Sequence, residues 1–187
     1  MNTPDLCRAL SADERHIARG IVERKYLAQG YAISDDIARY LEMPQATTYG
    51  LFHDDALYGT ISIIVDSEQG LPMDSIYSDE LASWRASGKN LAEVVQFAVD
   101  REVTDKKPSP FEAAPLFGAV LAHALREKID HLCISINPKH DRFYALLGFT
   151  QIGGEKHYGA VGAPAIARVL SVRDATNNPL IASFMKN

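Results

Sequence analysis

The stretch Ile136–Phe149, INPKHDRFYALLGF, decides how the rest of the chain is read. It leads from an apolar strand into a short helix and leaves through a glycine. Asn137 suits the N-cap position, because its side-chain oxygen accepts from an otherwise unpaired helix N–H. Pro138 suits the first helical position, where no amide donor is needed. Phe143, Leu146 and Leu147 recur at spacings of three and four, which predicts one apolar helix face. Gly148 can take the left-handed conformation that ends a helix, and Phe149 opens the next strand. On these residues alone the stretch is a strand–helix–strand corner.

Upstream, Ser11 and Glu14 form a capping-box pattern. Ile17, Ile21 and Ala28 fall on one face and Gly30 stops the run, which predicts a helix over Ala12–Gln29. A loop holding Asp35 and Asp36 is expected next. Thr47–His53 and Leu57–Val65 read as two strands joined at Asp54–Ala56. In the second, Ile61, Ile63 and Val65 alternate with Thr60, Ser62 and Ile64, so one face is core and the other partly apolar. An excursion, Asp66–Asn90, follows, with a short helix capped by Ser78, carrying Leu81 and Trp84 inside and ended by Gly88. Leu91–Val99 is apolar on nearly every position, as in a central strand. Asp100–Lys107 reads as a charged loop. Leu116, Phe117, Val120, Leu121, Ala124 and Leu125 mark a helix after Pro115. Leu132–Ile136, Phe149–Gly153 and Ile166–Val172 complete the strands. In the tail, Leu180, Ile181, Phe184 and Met185 are expected to dock as a helical turn.

The chain has 187 residues, 47% of them hydrophobic, enough for a proper core. Its net charge of −5 argues against nucleic-acid binding, which wants a basic face. Cys7 and Cys133 show no metal spacing and read as free thiols in a reducing compartment, so a cytoplasmic location is expected. The first residues lack the apolar run of a signal peptide, and no stretch approaches a transmembrane segment. His16, His53, His123, His131 and His157 show no ligand spacing, so no metal is expected.

With this element order, Asn137–Phe149 resembles the closing motif of the GNAT N-acyltransferases, N…FY…GF. The resemblance implies an α/β fold: a GNAT-like (acyl-CoA N-acyltransferase) mixed sheet, centrally splayed and flanked by helices. It covers a core of about residues 12–172 in a single domain of 1–187, with a tail at 173–187. In that family the helix flanks the thioester donor, and a tyrosine at the position of Tyr144 often protonates the leaving thiolate. Tyr144 is therefore a catalytic candidate by resemblance, and Asn137 and His140 are substrate-binding candidates on the donor side.

Acetyl-coenzyme A enzymes of this superfamily carry a turn of the form Q/R-x-x-G-x-G/A after the central strand. Its N–H groups, at a helix N-terminus, hold the pyrophosphate. Here the corresponding stretch, DREVTDKKPSPFEAAPLFG, has no glycine before Gly118 and contains three prolines, which donate no N–H. An acyl carrier protein, which offers its thioester on a flexible arm, fits that lack better than acyl-CoA. Two relatives share the absence, the LuxI-type autoinducer synthases and the long-chain N-acyl amino acid synthases (FeeM-like). The second group resembles this chain twice, at LPM…Y..EL..LR..G..LAE (here LPMDSIYSDELASWRASGKNLAE) and at NP.H..FY...GF. Arg24 and Tyr26 stand near the arginine–tyrosine entry of the relatives' first helix. Gln96 replaces an arginine of the autoinducer enzymes, and their first-helix tryptophan is missing. No permanently bound cofactor is implied.

Glu93, in LAEVVQFAV, is the carboxylate that an apolar strand should not hold. Alternation places it with Leu91, Val95, Phe97 and Val99. An unpaired buried carboxylate costs several kcal/mol, so it must be paired, protonated or beside a cleft. Desolvation raises its pKa, which suits a base taking a proton from an ammonium group near neutral pH. The plain alternative is an ion pair with Arg24 or Arg101. Trp84 and Phe97 are substrate-binding candidates, expected with Leu81, Phe111 and Phe117 around an apolar acyl pocket; each is otherwise ordinary core. Lys106, Lys107, Arg126, Lys128, Lys139 and Arg142 give a local basic bias suited to an acidic carrier protein. The expected function is acyl transfer from an acyl carrier protein thioester to the amino group of an amino acid. The alternatives are an acetyl-CoA-dependent N-acetyltransferase, an autoinducer synthase, and a non-catalytic ligand-binding module.

Overall fold

The structure, a computed structural model, describes residues 6–104 and 112–184, apart from the side chains of residues 36 and 37. Among the described residues seven strands form one sheet: β1 Leu6–Ala9, β2 Ala46–His53, β3 Ala56–Val65, β4 Leu91–Val99, β5 His131–Ile136, β6 Thr150–Tyr158 and β7 Ala163–Ser171. They lie in the order β1-β2-β3-β4-β5-β7-β6. Only β4 and β5 run parallel. The helices are α1 Ala12–Ala28, α2 Asp35–Glu42, α3 Asp74–Ala86, α4 Ala114–Arg126, α5 Asp141–Leu146, α6 Val172–Asn177 and α7 Pro179–Phe184.

The capping box at α1 is formed: Ser11 Oγ accepts from Glu14 N and Glu14 Oε2 accepts from Ser11 N. The buried stripe, however, is Ala18, Ile21 and Val22, and Ile17 is exposed. Ala18 is turned inward with Ile21 and Val22, and the helix packs on β3 and β4. Two elements differ from the sequence-based expectation outright. Asp35 begins a helix rather than lying in a loop, with Tyr40 and Leu41 buried beneath it. Its sequence does carry a short stripe, Ile37, Tyr40 and Leu41 at spacings of three and four, beside the two aspartates that suggested a loop. β1 is a four-residue edge strand held by its register on β2, whose partner residues lie 40 to 46 positions away along the chain. The excursion helix begins at Asp74, not Ser78, with a kink at Tyr77, and Gly88 follows its end at φ +70°. Past Gly153, β6 runs on to Tyr158. Gly153 is required there by crowding, because the Tyr77 ring lies 2.7 Å from where a Cβ would stand.

Asn137 caps as expected, its Oδ1 accepting from Lys139 N at 3.1 Å, but it caps a 3-10 turn that precedes α5. The expected inner face of α5 is corrected. Phe143 and Leu146 are 43% and 65% exposed, while Tyr144 and Leu147 pack inward. Gly148, at φ +90°, turns the chain so that Phe149 enters the core. In the tail Ile181 and Phe184 are buried as expected; Met185 lies outside the described residues.

Helices cover both faces of the sheet. One face packs under α1 and α3 around Ile64, Leu71, Met73, Leu81, Leu91 and Cys133. The other packs under α4, α6 and α7 around Ile61, Ile63, Leu116, Leu132, Ile134 and Leu170. Thr60 and Ser62 are buried rather than solvent-facing, and Ser62 Oγ hydrogen-bonds Thr48 Oγ at 2.9 Å. Each core side chain so enclosed contributes roughly 1.5–3 kcal/mol.

Candidate active site

The sheet is open in its middle. β4 and β5 pair only at Leu91–His131, Ala92–Leu132 and Glu93–Cys133, after which both strands continue unpaired with one another, β4 to Val99 and β5 to Ile136. The peptide groups of β4 beyond Glu93 that face β5 therefore have no strand partner across the fork. Glu93 is the last residue before the split.

Its side chain is 1% exposed, and Oε2 accepts from Met73 N at 2.8 Å. No ion pair reaches it among the described residues. Arg24 and Lys25 hold Asp100, and Arg101 holds Glu112, so the expected alternative partners are engaged elsewhere. Burial pushes the Glu93 carboxyl up to about 8; the Met73 N–H opposes this, and the charges of Asp74 and Asp66 reinforce it. Its neighbours across the strands are Ile64 and Cys133.

The expected company of Glu93 along β4 is half right. Leu91 and Val95 share its face, but Phe97 and Val99 lie on the other. Gln96 has φ +55° and sits at a skip in the β3–β4 register, a β-bulge that turns the rest of the strand over. The single aromatic pocket expected around Trp84 is accordingly two separate groups. Trp84, half-buried, packs at a tilt on His131, ring centroids 4.4 Å apart, at the closed end of the fork and on the face of Leu81. Phe97 packs on Phe117 at 5.0 Å on the opposite face. Phe111, Lys106 and Lys107 lie outside the described residues.

On the Phe97 face a narrow apolar slot reaches the fork. Val94, Leu132 and Ile134 form its floor, Phe117 and Val120 of α4 one wall, and Tyr144, Ile181 and Phe184 the others. About 30 Å³ of it is open, room for a water molecule or two, so its walls must part to admit a long chain. Tyr144 stands with its ring edge-on to Phe149 at 5.7 Å, and burial raises its phenol well above the ordinary value. Tyr26, from α1 on the other side of the sheet, is raised first by burial and then by Tyr144, Tyr31 and Glu93. Asn137 keeps its side chain on the turn before α5, and His140 is exposed beside it.

On the Glu93 face lies a cleft of about 970 Å³ between α2, the start of the excursion and the β6–β7 turn. Arg39, Leu71, Pro72 and Asp74 line it, and at its floor Tyr40 and Tyr158 share a hydroxyl contact of 3.2 Å. Glu93 is not itself in the lining; Met73, whose N–H donates to it, lies between Pro72 and Asp74 of the cleft wall. Sequence reasoning did not single out Tyr40, Tyr158 or the Met73 amide. A lone tyrosine before a glycine turn carries no local signal, and a backbone N–H carries none at all.

A centrally forked sheet with a buried acid at the split defines the class, the GNAT-type N-acyltransferases. Solved structures of that fold match at low identity. An N-acetyltransferase from Staphylococcus aureus Mu50 has a TM-score of 0.63 at 12% identity, over 91% of this chain and 99% of that one. The AHL synthase LasI has 0.61 at 14%, over 91% of each. The chain belongs to the FeeM N-acyl amino acid synthase family, whose model matches residues 18–171. The structure of FeeM, an N-acyl amino acid synthase from uncultured soil microbes, has a TM-score of 0.89 and 60% identity, covering 97% of each chain. No curated protein sequence matches this chain. The protein is therefore an N-acyltransferase of the FeeM type. Among the described residues no helix is long and apolar enough to cross a membrane.

Proposed function

We propose that the chain moves a long-chain acyl group from the thioester of an acyl carrier protein to the α-amino group of an amino acid. The observation that carries this reading is the fork at Glu93, with an apolar slot on one side and an open cleft on the other. The acyl chain lies in the slot, and the amino acid enters by the cleft. Glu93, from its place at the split, accepts a proton from the ammonium group, directly or through water. The freed amine attacks the thioester carbonyl carbon. Unpaired N–H groups of β4 beyond Glu93 hold the oxyanion. The tetrahedral intermediate then expels the thiolate, to which Tyr144 gives a proton, and the surplus proton on the new amide nitrogen passes to the tyrosinate, directly or through water, which restores the phenol.

The carrier-protein donor rests on the start of α4, where a coenzyme A pyrophosphate would sit in an acetyl-CoA enzyme. The helix has no side-chain cap, Pro115 is in its first turn, and the Glu112 carboxylate stands just before it, paired with Arg101. Pro115 donates no N–H there, and the Glu112–Arg101 ion pair stands at the approach to the helix. On the donor side, Lys139 and Arg142 flank the exposed Phe143 and Leu146, a basic and apolar surface suited to an acidic carrier. Arg126 is tied to Glu127 and contributes less. The free thiols Cys7 and Cys133 fit a cytoplasmic setting.

The test is a donor comparison with the same dodecanoyl group. The loaded carrier protein is expected to give a kcat/KM roughly 100-fold above dodecanoyl-CoA, falling steeply with salt. Equal or better use of the CoA thioester would overturn the donor assignment.

A further inference from the structure

Two carboxylates and one guanidinium stand behind Glu93 and do no chemistry in the scheme above. Arg85, on α3, makes four short bonds. Its Nε and Nη2 donate to Asp66 at 2.6 and 2.9 Å, and its Nη1 and Nη2 donate to Asp74 at 2.6 and 2.7 Å. Asp66 follows the end of β3 and Asp74 begins α3, so one side chain ties together the two ends of the excursion's first loop.

Both ends lead to Glu93. Asp66 N donates to Leu91 O at 2.9 Å, two residues before Glu93 on β4. Asp74 Oδ2 also accepts from Leu71 N at 2.7 Å, which fixes the turn carrying Met73. Gly70, at φ +74°, lies so close that a Cβ would stand 2.7 Å from the same oxygen. Met73 N then reaches Glu93 Oε2 at 2.8 Å.

We propose that Arg85, with Asp66 and Asp74, is a positioning clamp that fixes the Met73 N–H on Glu93 and sets the charge the catalytic carboxyl feels. The proposal rests on Glu93 acting as the base. The clamp's pairs are bidentate on both carboxylates and mostly shielded from solvent, so they hold the loop firmly. The clamp's position gives it another role. The titratable groups acting on Glu93 or shifted by it are Asp66 from the β3 end, Asp74 from α3, Cys133 from β5, Tyr26 from α1 and Tyr158 from β6. Of these, only the two aspartates are ordinarily charged at neutral pH, and Arg85 neutralises one of the two charges. Without Arg85 the carboxyl faces a doubly negative pair and an untethered amide. Both effects favour its protonated form.

The test follows the Glu93 carboxyl directly, by ¹³C NMR of protein labelled at glutamate side chains, with the resonance assigned by its loss in Glu93→Gln. Its midpoint is expected to rise by about half to one pH unit in Arg85→Met, to rise less in Arg85→Lys, and to fall in Asp66→Asn. The rising limb of kcat/KM, measured with dodecanoyl carrier protein, should move in step. A midpoint and limb unmoved in Arg85→Met, with turnover lost in Glu93→Gln, would overturn the clamp and leave the base in place. Full turnover in Glu93→Gln would overturn the base and the clamp's catalytic purpose together. Should Arg85→Met fail to fold, the Lys and Asn variants, which each keep part of the contact, decide the question by the same readouts.

Discussion

Glu93→Gln is expected to lower kcat about 100-fold or more while leaving the protein folded. The glutamine keeps the shape, and its side-chain oxygen still accepts from Met73 N, so the fork should stay as it is. What disappears is the only function an amide cannot perform, accepting a proton from the amine. General-base catalysis is worth roughly 10²–10⁴-fold. The rising limb of the wild-type rate, expected near pH 8 where the buried carboxyl ionises, should vanish with it. The same substitution should stabilise the protein in alkali. The folded-state pKa of Glu93 is raised above its unfolded value, so its contribution is fully present below about pH 4.5 and is lost as pH rises through about 8. Glutamine has no such loss. Thermal melts should therefore agree near pH 5 and separate as pH rises, with the variant higher at pH 9. A variant that is both slower and more stable has lost a functional group, since removal of a structural one would destabilise. Unchanged turnover would remove Glu93 from the mechanism.

Val120→Phe is expected to separate long from short donors. Val120 is buried on α4 and faces the slot, whose free space is already small. The larger ring takes the volume into which a chain must expand the walls. Each methylene denied burial forfeits about 0.8 kcal/mol, so excluding four of them costs about 3 kcal/mol, more than 100-fold in kcat/KM. A butanoyl donor, which needs only the mouth of the slot near Val94, should keep most of its rate. The extra volume will also strain the core by roughly 1–3 kcal/mol, which a melt will register. The ratio of dodecanoyl to butanoyl kcat/KM corrects for any general loss. A ratio unchanged from wild type would mean that the chain is held elsewhere.

How much of this was legible in the residues depends on how local each cause is. β3, β4, α1 and α4 were readable because their patterns repeat within one element, and the capping box and Asn137 because their partners are two or three positions away. β1 was not, since it depends on pairing with distant β2; α2 reads as a loop at its two aspartates although Ile37, Tyr40 and Leu41 recur at spacings of three and four. The bulge at Gln96 shows the limit most plainly. A single non-glycine residue at positive φ has no sequence signature, yet it moved Phe97 and Val99 to the opposite face. The short α5 was placed but rotated wrongly, because the exit at Gly148 and the anchor at Phe149 set which side faces in. Glu93 stood out as a charge in an apolar run. Its company did not: Met73, Asp74 and Arg85 come with α3, Asp66 from the end of β3 and Tyr158 from β6, and only the folded chain assembles them around β4.

The fork between β4 and β5 carries the whole account, and a crystal structure with a bound N-dodecanoyl amino acid tests it most directly. The account predicts the acyl chain in the slot among Val94, Phe117 and Tyr144, the amino-acid carboxylate in the cleft beside Tyr158, and the amide nitrogen within about 3 Å of Glu93, directly or through one water. A product bound with its amide remote from Glu93, or with both ends on one face of the sheet, would contradict it.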